Sequence, residues 1–153
     1  MCLYTMQIKP EVAVIPIRCL KVVRRNKDGY FPLYFYDKVT YHIGETVTDD
    51  CFKKESENGG RLYEVYYGFH TYTSGNHNVK ELYFNYFKED VWNGVALVVV
   101  ECEIPVGALY YKGYSNCIHP LGDADVVTEI GYVSDKLKIV RELSEEEINA
   151  LNE

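Results

Sequence analysis

A chain of 153 residues with 47% hydrophobic residues is the size of one ordinary domain and carries enough apolar side chain for its own core. Its 23 acidic against 16 basic residues give a net charge of −7, which argues against general nucleic-acid binding, an affinity supplied by clustered Lys and Arg. The apolar run at residues 95–100 lies between Gly94 and Glu101, far short of the ~18 residues of a membrane-spanning helix. Lys9, Pro10 and Glu11 interrupt any signal-like stretch, so the expected location is the cytoplasm, without membrane insertion.

In chain order, β-branched residues after Pro16 predict a first strand at 17–23, followed by a turn at 26–29. Pro32 marks 31–36 as an edge strand or a strand beginning, with 39–43 as its partner. Residues 46–60 are polar, end in Gly59-Gly60 and predict a long loop. A strand at 62–67 runs into Gly68, Phe69 and His70, and 71–78 supplies turn and cap residues. Val79, Leu82, Tyr83, Tyr86 and Phe87 recur at helical spacing behind the candidate N-cap Asn76, predicting an amphipathic helix. Residues 95–100, apolar on both faces, predict a central strand continued inward by Cys102 and Ile104 and stopped by Pro105. A short strand at 108–111, a second loop at 113–125 and strands at 126–133 and 137–140 follow. Ser144 and Glu147 form a capping-box pattern opening a short acidic helix. The expected fold is a single α+β domain: a mostly antiparallel sheet with one amphipathic helix and a short C-terminal helix.

Five cysteines without a CxxC pair predict reduced thiols, with Cys19 and Cys102 in the core. Only Cys117 and His119 stand at ligand-like spacing, so no metal site is predicted, and no glycine-rich phosphate loop appears. No cofactor is implied. The basic cluster Lys21, Arg24, Arg25 and Lys27 is read as a solvated strand end in preference to an anion site.

Fifteen tyrosines against one tryptophan and six phenylalanines are the unusual number. Tyrosine joins an apolar ring to a hydrogen-bonding tip, which suits half-buried sheet faces and binding surfaces alike. The candidate ligand-binding residues are Arg18, His70, Tyr72, Tyr110, Tyr111, Tyr114 and His119. Most lie in or beside segments where tyrosines crowd next to polar loops, and Arg18 or the Arg24–Arg25 pair is the candidate partner of any phosphate.

The opening Met1-Cys2-Leu3-Tyr4-Thr5, the Gly68-Phe69-His70 turn, Ile104-Pro105-Val106-Gly107 with Tyr110-Tyr111-Lys112-Gly113, and the closing run from Tyr132 to Ile139 resemble small uncharacterised phage and prophage proteins. That likeness implies a small accessory protein acting in the host cytoplasm, in host takeover or counter-defence. More distantly, the layout is similar to that of ADP-ribosyltransferases, which would place Arg18, Thr73 or Ser74, and Glu129 in an NAD site. The leading expectation is a non-enzymatic protein that captures a small molecule or a host protein. An NAD-using transferase and a structural homo-oligomer are the alternatives.

Overall fold

The computed structural model describes residues 3–32, 40–50, 52, 57–58, 62–65, 68–74, 79–80, 83–84, 95–117 and 127–151. The strands are Leu3–Thr5 (β1), Glu11–Val12 (β2), Ile17–Asn26 (β3), Gly29–Pro32 (β4), Thr46–Thr48 (β5) and Glu57–Asn58 (β6). Leu62–Val65 (β7), Phe69–Thr73 (β8), Ala96–Ile104 (β9), Leu109–Cys117 (β10), Val127–Ser134 (β11) and Lys136–Glu142 (β12) complete them, and Glu145–Asn149 is the helix α1. All twelve strands join one sheet in the order β5-β12-β9-β3-β8-β11-β10-β1-β7-β6, with β2 on β10 and β4 on β3, and every ladder between named strands is antiparallel.

The longest ladder joins β3 to β9, from Ile17 opposite Ile104 to Arg25 opposite Ala96. Alternation sorts its side chains onto two faces. One face carries Cys19, Val23, Val98, Val100, Cys102 and Ile104, packed with Phe69, Leu137 and Ile139. The other carries Leu20, Val22 and Val99, covered by Tyr72, Val79, Tyr83, Leu143 and Ile148. Double burial is what the unbroken apolar run at 95–100 predicts, and β9 lies inside the sheet between β12 and β3.

The sheet does not stay flat. β11 and β12 are consecutive and separated only by Asp135, yet β11 pairs β8 and β10 while β12 pairs β9 and β5. One bent strand therefore serves two distant parts of the sheet, and β12-β9-β3-β8-β11 form a circuit that returns on itself. The result is a curled half-barrel. Its inner face is the one bearing Cys19, Phe69, Cys102 and Leu137.

The α+β expectation is thereby corrected: the structure is a curled, mostly antiparallel sheet, and Glu145–Asn149 is the one short α-helix named among the described residues. Of the predicted amphipathic helix, Val79 and Tyr83 are buried against the outer face, while Leu82, Tyr86 and Phe87 lie outside the described residues. The polar run at 46–60 contains β5 and β6, the Gly68–Tyr72 turn is mostly strand β8, and β10 extends to Cys117 inside the predicted second loop. The expected edge strand at Pro32 is β4, paired to β3. At the C-terminus the capping box forms as expected, Ser144 accepting from the Glu147 amide and Glu147 from that of Ser144. A five-residue helix is marginal alone, so burial of Ile148, worth about 1.5–3 kcal/mol, and the cap, worth about 1 kcal/mol, hold it on the sheet.

Gly68 enters β8 at φ +124°, and a Cβ there would lie 2.6 Å from Val133 Cγ1 and 2.8 Å from the Phe52 ring. Gly44, at φ +83°, has nothing within 4 Å of its Cβ position. Gly44→Ala is expected to cost only the backbone term, about 1–2 kcal/mol, and Gly68→Ala about 3 kcal/mol or more in chemical denaturation. A Gly68→Ala loss no larger than that of Gly44→Ala would contradict the packing of β8 on β11.

Candidate functional site

The inner face changes character across the strands. Tyr132 on β11 stands directly opposite Thr71 on β8, and Lys112 on β10 stands opposite Tyr132. The β3–β8 register, Cys19 to Thr73 and Leu20 to Tyr72, brings Lys21 alongside Thr71 when carried one residue further. A transverse row Lys21, Thr71, Tyr132, Lys112 results, all on one face because cross-strand partners share a side. The neighbouring rows add Tyr110 and Tyr114 on β10 and the Cys19–Cys102 pair on β3 and β9.

At the β3 end the row is enclosed. Lys21 donates from Nζ to the His70 carbonyl at 2.6 Å. Burial pulls its pKa below the ordinary lysine value, against a smaller opposing effect of the Cys102 and Cys19 thiols. Both cysteines are free and fully buried, as their sequence positions predict. Burial, then the neighbouring Cys19, pushes the Cys102 thiol up, which keeps it protonated and unreactive. Thr71 is 2% exposed and its Oγ1 has no hydrogen-bond partner, the only such buried side-chain atom among the described residues.

At the β10 end the row opens to solvent. Tyr114 and Ile130 are 46% and 43% exposed, and Lys112 is exposed. Tyr110 and Tyr132 meet edge to face at 5.9 Å between ring centroids, and Lys112 Nζ stands 5.9 Å from the centre of the Tyr132 ring, within cation–π range. Tyr110 donates its hydroxyl to Glu11 at 2.8 Å. Burial, then this hydrogen bond to a carboxylate, pushes its pKa up to about 12.

Period-two alternation separates the residues expected to act together. Tyr110 and Tyr114 share the inner face, whereas Tyr111 is buried on the outer face with Leu3, Val65 and Val133. Tyr72 is buried in the outer-face core under α1. His70 contributes its carbonyl to Lys21, and its side chain, next to inward-facing Thr71, belongs to the outer face. Arg18 is also outer: it is ion-paired with Glu101, which Arg141 shares, and Arg141 continues to Glu147. His119 lies outside the described residues. Arg18 and Thr73 fall on opposite faces, since Thr73 pairs with Cys19; Ser74 follows the end of β8, and Glu129 lies in β11 opposite Ser115. Thr71, Lys112 and Tyr132 are not singled out for this site by sequence reasoning, and Lys21, expected with its basic neighbours at a solvated strand end, is instead enclosed. Their one signal is a polar side chain at an inward position of an otherwise apolar strand, as Lys21 stands between Cys19 and Val23.

Among the described residues no group of three or more His, Cys, Asp or Glu is placed to hold a metal ion, and no helix is long and apolar enough to cross a membrane. Comparison with known proteins gives no match: no family model, no curated protein and no solved structure is significantly similar to this chain.

The Tyr110–Glu11 bond has an alkaline signature. A tyrosine whose folded pKa is raised adds stability that is complete below the ordinary value near 10 and is lost as pH rises through about 12. In a spectrophotometric titration, Tyr110→Phe is expected to remove one late-ionising phenol, and Glu11→Gln to move that phenol to lower pH. An unchanged curve in both variants would mean that the bond does not form in solution.

Proposed function

We propose that this chain is a small phage-type accessory protein that captures a planar ligand on the open end of its inner face, without chemistry of its own. The observation that carries the reading is the set of Tyr110, Tyr114 and Tyr132 on that face, with Tyr114 half exposed and Lys112 beside the Tyr132 ring. Tyrosine rings offer flat apolar area at low entropic cost, and their hydroxyls orient what stacks on them. A nucleobase-containing signal molecule suits such a surface, with host takeover or counter-defence as the proposed setting. A host protein remains the competing partner.

Binding of a panel of nucleosides, nucleotides and cyclic nucleotides tests the reading. Tyr114→Ala removes a half-exposed ring and should leave the fold intact. It is expected to weaken the best ligand about tenfold or more, in line with ~1–3 kcal/mol per stacked base. Tyr111→Ala, in the outer-face core, is expected instead to lower thermal stability. No binding by the wild type, or full affinity in a folded Tyr114→Ala protein, would remove the small-ligand reading and put a protein partner in front.

A further inference from the structure

The inner-face row holds an arrangement that stacking does not use. Thr71 Oγ1 is a buried hydroxyl without a partner, which is costly unless something supplies one. Beside it, the Lys21 ammonium is largely withdrawn from water, and its one hydrogen bond goes to a neutral carbonyl, that of His70. None of the ion pairs formed among the described residues involves Lys21 or Lys112. Arg18 and Arg141, in contrast, share Glu101 on the outer face, and Arg25, at the far end of β3 on the same side as Val23, is paired with Glu142. Two lysines and an unused hydroxyl thus stand in one row with no carboxylate paired to them among the described residues, and the row leads from an enclosed end to an open one. The residue Lys21 as a whole keeps partial solvent access, while its ammonium and the Thr71 hydroxyl are buried.

Resting on the planar-ligand reading, we propose that Lys21, Thr71 and Lys112 form an anion subsite, which takes the phosphate or carboxylate group of the bound molecule. The anion would accept from Thr71 Oγ1 and from the remaining Lys21 N–H groups, and Lys112 would close over it from the solvent side. Such bonds involve an ionised donor and acceptor at the enclosed end, where they are strongest. The anion also offsets the desolvation that burial imposes on Lys21. Tyr132, between Thr71 and Lys112, then bridges the anionic and planar halves of the ligand.

The test uses inorganic phosphate, acetate and a matched nucleoside and nucleoside monophosphate pair, followed through the backbone amide resonances of residues 21, 71, 112 and 132. Saturable shifts at 21 and 71 with phosphate or acetate are expected, the stronger of the two identifying the anion class. The monophosphate should bind at least tenfold tighter than its nucleoside. Lys21→Met should abolish that advantage, Lys112→Arg should keep it, and Lys112→Ala should weaken it about tenfold, as expected for a hydrogen bond to a charged group. Thr71→Val separates the site from a packing role: it should raise the melting temperature, because an unpartnered hydroxyl is removed, while weakening anion binding severalfold. No saturable shift at 21 and 71 with either ion, or equal binding of nucleoside and monophosphate, overturns the anion subsite and leaves the stacking surface standing. Phosphate saturation with no affinity for any nucleoside overturns the stacking surface and leaves the subsite.

Discussion

Asp135 is the one residue between two strands that belong to different parts of the sheet, and the curl of the fold depends on how it is held. Its amide donates to the Leu109 carbonyl, its carboxylate accepts from the Leu109 amide, and its carbonyl accepts from the Asp49 amide. The flanking Ser134 hydroxyl donates to the Lys136 carbonyl across the same corner. Backbone groups that a bend removes from the ladders are thus satisfied locally, as burial requires, since Ser134 is fully enclosed. With the corner fixed, β11 and β12 cannot lie flat, and the face between them becomes an interior.

That interior is closed by apolar packing where β12, β9 and β3 meet, and left polar where β3, β8 and β11 meet. Gly131 permits the second junction. A Cβ at this position would stand 2.7 Å from the Thr71 carbonyl, so only glycine lets β11 approach β8 closely enough to set Tyr132 against Thr71.

Much of the framework was legible in the sequence because it depends on local pattern. The β-branched run of β3, the two-sided apolarity of β9, the edge character of the strand at Pro32 and the Ser144–Glu147 cap each follow from residues next to one another. The segment 68–72 was not legible. Its glycine and polar residues carry a turn signature, yet pairing of β8 with both β11 and β3 overrides it, and that pairing is made by residues more than fifty positions away. The α+β expectation fails for a related reason: the helical spacing of Val79 and Tyr83 is real, but strands of low individual signal, such as β1, β2 and β6, carry the sheet.

Alternation also resolves what composition left open about tyrosine. Tyr41, Tyr72, Tyr83 and Tyr111 are buried and serve as core, while Tyr110, Tyr132 and Tyr114 line the open end of the inner face. Neighbours in sequence take opposite duties, as Tyr110 and Tyr111 do, so crowding along the chain is not crowding in space. The same rule moves Arg18 away from the tyrosines and into a carboxylate network with Glu101. A binding surface inferred from abundance alone would therefore have merged two faces of one sheet. Register divides them, and on the inner face it brings together two lysines and a hydroxyl that abundance never indicated.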